Sequence, residues 1–184
     1  MKKSFLILFV PFLIIAAGAD AFAQKLITKT GNIKFQASVS SYEEVAAENK
    51  SVSAVLEQST GDFAALVLIK GFQFKIALME EHFNENYMES EKFSKATLKG
   101  KIENFDVTKI TNQPSNFTLK GDFTIHGVTK PLTVILKIAK NASGLNIAGS
   151  FDIKPEDFDI EIPSIVRKKI AEKVKVNYNF SLTK

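Results

Sequence analysis

Residues 117–140, FTLKGDFTIHGVTKPLTVILKIAK, decide the fold. Phe117, Leu119, Phe123 and Ile125 alternate with Thr118, Lys120, Asp122 and Thr124. After His126-Gly127-Val128-Thr129 the alternation resumes, with Leu132, Val134, Leu136 and Ile138 set against Thr133, Ile135, Lys137 and Ala139. A period of two with one apolar face is the signature of a half-buried antiparallel strand. Gly127 supplies the turn geometry, so the stretch reads as strand, tight turn, strand.

The same pattern recurs outward in both directions. Ile33, Phe35, Ala37 and Val39 share a face; so do Val52, Ala54 and Leu56; so do Phe72, Phe74, Ile76 and Leu78. Residues 63–69 are apolar on both faces, which predicts a strand covered on its outer side by a helix. From Met79 the period changes: Met79, Phe83 and Tyr87 recur every four residues, which predicts a short amphipathic helix packed by one face. Ala96, Leu98, Gly100 and Ile102 begin the next strand, and a polar connection around residues 111–114 leads into the hairpin. Beyond the turn at residues 141–144, Ile147, Gly149, Phe151 and Ile153 form one face, and Val174, Val176, Tyr178, Phe180 and Leu182 form the last. Pro155 and Pro163 each open a helical turn. The result is a mainly β chain of about eight antiparallel strands with one or two short helices, which closes into a barrel or splits into a sandwich.

Composition bounds the rest. Lys2 and Lys3, the apolar run of residues 5–18 and the small-x-small site Ala21-Phe22-Ala23 read as an export signal, residues 1–23, cleaved between Ala23 and Gln24. The apolar run is too short to span a membrane and Pro11 interrupts it. Without a Cys, neither a lipoprotein anchor nor a disulfide framework is available. Cleavage removes two lysines and an aspartate, taking the formal charge from +4 to +3. The lysines are scattered on polar strand phases, where they protect edges and keep the surface soluble. Nucleic-acid binding wants a clustered basic face with exposed aromatics, which is missing. The expectation is one domain, residues 24–184, periplasmic or secreted, with its oligomeric state open, a homodimer included.

Catalytic constellations are sparse. His82 lies between Glu81 and Glu85, but a metal site needs three or four convergent ligands, and the chain has only 2 histidines. His126 has no nucleophile signature to serve and reads as a turn residue. We therefore expect no catalytic residue, no metal and no cofactor, leaving a binding function.

What remains is the inward face. Strand phase selects Phe35, Phe72, Phe74, Ile76, Leu98, Phe123, Val134, Phe151, Val176 and Phe180 as the apolar lining. Gly100, Gly121 and Gly149 fall in phase with it. A glycine inside a strand marks a bend or a close approach; here it is also expected to widen the interior, since a barrel of about eight strands can hold one small ligand. The rival expectation is a barrel with a filled core that presents its loops to a protein partner.

The string Phe123-Thr124-Ile125-His126-Gly127-Val128-Thr129-Lys130-Pro131 resembles the hairpin signature of the YceI-like proteins. Gly31-Asn32-Ile33-Lys34-Phe35, then Met79 to Tyr87, Lys92 to Gly100, Ser150-Phe151-Asp152-Ile153, Asp157-Phe158-Asp159-Ile160 and Pro163 follow in that family's order. The resemblance implies an exported, non-catalytic, lipocalin-like β-barrel that holds a long isoprenoid or related lipid and meets the membrane transiently to exchange it. Two places depart from the family pattern: Ser94 replaces a common proline, and residues 165–173 are unusually basic, a composition suited to a lid or a membrane-facing patch.

Overall fold

The computed structural model describes residues 24–39 and 44–184; the predicted signal, residues 1–23, lies outside them. Among the described residues nine antiparallel strands form one sheet: β1 (Lys25–Ser38), β2 (Ala46–Glu57), β3 (Asp62–Leu68), β4 (Gln73–Phe74), β5 (Lys95–Ile102), β6 (Ser115–Ile125), β7 (Val128–Lys140), β8 (Gly144–Ile153) and β9 (Ile170–Thr183). The order is β1-β9-β8-β7-β6-β5-β3-β2, and β1 pairs with β2 to close the barrel. β4 is a two-residue extra strand that pairs Ala47 and Glu48 of β2 with Phe74 and Gln73. Closure removes every edge but this short one, so little unpaired backbone is left to recruit another chain.

The hairpin of residues 117–140 forms with Ile125 opposite Val128, leaving a two-residue loop of His126 and Gly127. Both have positive φ, 52° and 78°, the backbone of a I′ turn, whose twist matches the strands on either side. His126 is buried: its Nδ1 lies 3.1 Å from the Phe158 carbonyl oxygen and its Nε2 3.1 Å from Glu89 Oε2. The ring packs on Phe93 with centroids 4.4 Å apart. The histidine is a turn residue, as expected, and it also ties the hairpin to two neighbouring loops.

Four expectations need correction. β1 begins at Lys25, earlier than its alternation shows, because a register shift between Thr28 and Gly31 inverts the phase. Leu26 and Thr28 point inward before it, and Ile33, Phe35 and Ala37 after it. One extra residue in a strand has that effect. Residues 72–78 are not a strand: after a short 3-10 turn (Ile69–Gly71) the chain keeps only β4, then enters α1 (Ala77–His82), leaving Ile76 and Leu78 38% and 57% exposed. The helix does not cover the outer face of β3, where Leu68 remains 56% exposed. It lies instead across one end of the barrel, extended by a π turn (Phe83–Tyr87). Pro155–Phe158 forms the expected short helical turn, whereas residues 164–169 are a run of turns and not a helix.

The interior is divided along the barrel axis. At one end Leu56, Ile102, Leu119, Leu136, Ile138, Leu145, Ile147 and Leu182 are almost wholly buried and pack on one another. At the other end the barrel leaves an open cavity.

Candidate ligand-binding cavity

The cavity has a volume of about 400 Å³. Its barrel wall comes from the inward phases of six strands: Ile33, Phe35 and Ala37 on β1, Val67 on β3, Ala96 on β5, Phe123 and Ile125 on β6, Phe151 and Ile153 on β8, and Val174 and Val176 on β9. Alternation places each of these side chains on the inner surface. Phe72, Phe74, Met79, Phe83, Tyr87 and Met88 close one side, and Pro155, Ile160, Ile162, Val166 and Ile170 close the other. Among the described wall residues only His82, Tyr87 and Lys169 carry a polar side-chain group, and none is a carboxylate. The volume is ordinary for a small-molecule pocket, on the order of 300–1,000 Å³; a wall this poor in polar anchors is not.

Phe35, Phe72, Phe74 and Phe83 form a cluster with ring centroids 5.1–5.8 Å apart. Edge-on and tilted contacts, and the stacked one between Phe35 and Phe83, are favourable for aromatic pairs at this spacing. They bind the helical segment to β1 and hold it over the cavity. The Met79, Phe83 and Tyr87 stripe read from the sequence thus faces the cavity as well as packing the helix.

The floor is aromatic too. Phe123 meets Phe151 at 5.6 Å, and Tyr178 stacks on Phe180 at 5.6 Å. The Tyr178 hydroxyl donates a hydrogen bond to the Ile135 carbonyl across 3.1 Å. Burial pushes this phenol above its usual range, because the apolar surroundings disfavour the charged form. A smaller void of about 40 Å³, lined by Leu98, Phe180, Phe63 and Leu136, adjoins the floor. Tyr178→Phe should lower stability by about 1 kcal/mol, the usual worth of one hydrogen bond, and leave the cavity intact. A shift of the urea midpoint measures it; an unchanged midpoint would show that the bond contributes nothing.

Of the residues selected by strand phase, Phe35, Phe72, Phe74, Phe123, Phe151 and Val176 lie on the cavity wall. Leu98 and Phe180 border only the smaller void. Val134 belongs to the packed half, and Ile76, outside the strands, is not on the wall. The glycines do not line the cavity either. Gly100 and Gly121 are direct cross-strand partners, and a Cβ on Gly121 would lie 2.2 Å from the Lys99 carbonyl oxygen. Gly149 makes room for the Tyr178 hydroxyl, 2.3 Å from where its Cβ would be. All three permit close approach rather than extra volume. Sequence reasoning missed the loop residues Ile160, Ile162 and Val166 and the first residue of β9, Ile170, although Ile160 and Ile162 alternate between two prolines.

No cluster of three or more His, Asp or Glu side chains suited to a metal occurs among the described residues, and no described helix is long and apolar enough to cross a membrane. A closed eight-stranded barrel, packed at one end and hollow and apolar at the other, defines a lipocalin-like protein. The YceI-like domain family matches residues 24–182, and the chain belongs to that family. No curated protein matches the sequence significantly. Among solved structures, a polyisoprenoid binding domain from Saccharophagus degradans superimposes with a TM-score of 0.72 at 14% identity, covering 86% of this chain and 95% of that one. BcnA of Burkholderia cenocepacia gives 0.67 at 15% identity over 83% and 94%. The YCEI protein of Campylobacter jejuni gives 0.61 at 18% over 78% and 87%. At these identities the likeness is one of fold.

Proposed function

We propose that this protein is an exported, non-catalytic carrier that holds a long apolar ligand, an isoprenoid or related lipid, in the hollow half of its barrel, for transport, storage or sequestration in the periplasm or outside the cell. The observation that carries the reading is the cavity of about 400 Å³ whose wall, among the described residues, has no carboxylate and only three polar side chains. A polar substrate would lose its hydration without gaining partners there. An apolar chain gains about 0.8 kcal/mol for each buried methylene, so a five-carbon isoprenoid unit contributes roughly 3–4 kcal/mol. Ordering costs of association are on the order of 4–15 kcal/mol. Several buried units offset them without a polar anchor. The polyisoprenoid-binding description of the Saccharophagus relative supports the same ligand class.

The proposed ligand contacts are the wall residues Phe35, Phe72, Phe74, Phe123, Phe151 and Val176, through van der Waals contact and exclusion of water. Protein purified from its native host, extracted with organic solvent and examined by mass spectrometry, should yield a lipid with a long apolar chain. A preparation that carries no lipid and takes up no isoprenoid quinone overturns the reading.

A further inference from the structure

We infer that the turn segment of residues 163–169 is a landing surface for membranes rich in anionic lipid, which brings the open end of the barrel onto the bilayer. Ile165 is 86% exposed, more than any other exposed large hydrophobic side chain among the described residues. Its neighbours Val166, Lys169 and Ile170 line the cavity, so the segment is the rim of the mouth itself. The turns are internally bonded: Val166 N–H and Arg167 N–H donate to the Pro163 carbonyl at 3.0 and 3.1 Å, and Lys169 N–H to the Val166 carbonyl at 2.8 Å. Ile165 is therefore held outward at the apex of an ordered loop.

Charge says what kind of surface it meets. Arg167, Lys168 and Lys169 are consecutive, Lys173 follows, and none of the four has an ion-pair partner among the described residues. Of the two acids that flank the segment in the sequence, Glu172 is engaged by Lys154 at 2.8 Å, and Glu161 is exposed and pairs with none of these cations among the described residues. Arg167 Nη2 donates to the Ile162 carbonyl at 3.4 Å, but an exposed isoleucine beside three cations without an ion-pair partner among the described residues is complementary to a bilayer with negative headgroups, where the cations sit in the surface potential and the isoleucine enters the interfacial layer. The opposite rim differs. Helix α1 and its π turn present Glu81 and Glu85 to solvent, so the docking is one-sided, with the loop against the membrane and the helix away from it.

The inference rests on the carrier reading for its purpose, since a carrier of lipid must meet a membrane at its open end, but its measurement is independent. The probe is flotation of the purified protein with vesicles of phosphatidylcholine alone or mixed with phosphatidylglycerol, at low and high salt. Binding should require the anionic lipid and weaken with salt. Arg167→Glu and Lys168→Glu should each lower vesicle affinity at least about fivefold, and Ile165→Ser should lower it at both salt levels. None of the three side chains lines the cavity, so lipid content by mass spectrometry should not change. Absence of flotation, or flotation equal on neutral vesicles and indifferent to these substitutions, overturns the inference, and a protein that still carries lipid then leaves the carrier reading standing. Flotation of the expected kind by a protein that carries no lipid keeps the landing surface and removes the carrier.

Discussion

Gly121→Val is expected to abolish folding, and Gly121→Ala to cost more than about 3 kcal/mol, beyond the ordinary range for an added methyl in a packed interior. Gly100 of β5 and Gly121 of β6 face each other in the ladder. A Cβ on Gly121 would stand 2.2 Å from the Lys99 carbonyl oxygen and 2.6 Å from Gly100 Cα; one on Gly100 would stand 2.4 Å from the Lys120 carbonyl oxygen. The obstructing atoms are backbone, so no rotamer change relieves them. The two strands would have to separate, and the residues flanking the glycines, Leu119 and Ile102, are nearly inaccessible core. Because a domain of this size is stable by only about 5–15 kcal/mol in total, prying this seam apart threatens the whole barrel. Urea denaturation of the alanine variant and soluble yield of the valine variant are the measurements. An alanine variant within about 0.5 kcal/mol of the parent would show that the strands do not approach so closely.

The glycine seam also shows how far the sequence could be read. Alternation placed Gly100, Gly121 and Gly149 on the inward phase, but phase states which face a residue takes and nothing about its depth along the barrel axis. The same limit explains the lining residues. Phe123 and Val134 have equally good inward phase, yet Phe123 reaches the cavity and Val134 packs among Leu136, Leu119 and their neighbours, because the barrel is filled at one end only. The expectation of a hollow barrel and its rival of a filled core each describe one half of the molecule. Residues 72–78 failed for a different reason: Phe72 and Phe74 do face inward, but the alternation runs on into Ile76 and Leu78 after the backbone has left the sheet, and helix α1 begins with no side-chain cap to announce it. The start of β1 was hidden by its register shift, since a single extra residue turns one alternation into two of opposite phase. By contrast the hairpin of residues 117–140 was legible throughout, because its turn residues and both alternations agree.

Ala96→Phe should empty the barrel of ligand while leaving it folded. Ala96 is 4% exposed on β5, pairs with Val67 of β3, and lines both the main cavity and the small void beneath it. A side chain extended from this position enters open volume, unlike one at Gly121, where it meets backbone. In a cavity of about 400 Å³, a phenyl ring displaces ligand carbons directly. Losing about four buried methylene equivalents, at roughly 0.8 kcal/mol each, weakens binding by more than about a hundredfold. Stability should move the other way or stay level, because new apolar contacts form where none existed. Ala96→Leu provides a graded comparison, with a smaller displacement and a smaller loss of affinity. Uptake of an isoprenoid quinone, followed by its absorbance in the protein fraction, measures binding, and urea unfolding measures stability. Leu119→Ala, in the packed half, completes the test: it should cost about 2–5 kcal/mol and leave quinone affinity unchanged in the fraction that remains folded. If Ala96→Phe destabilised the protein as Leu119→Ala does while quinone uptake persisted, the division of the interior into a packed half and a ligand half would be wrong.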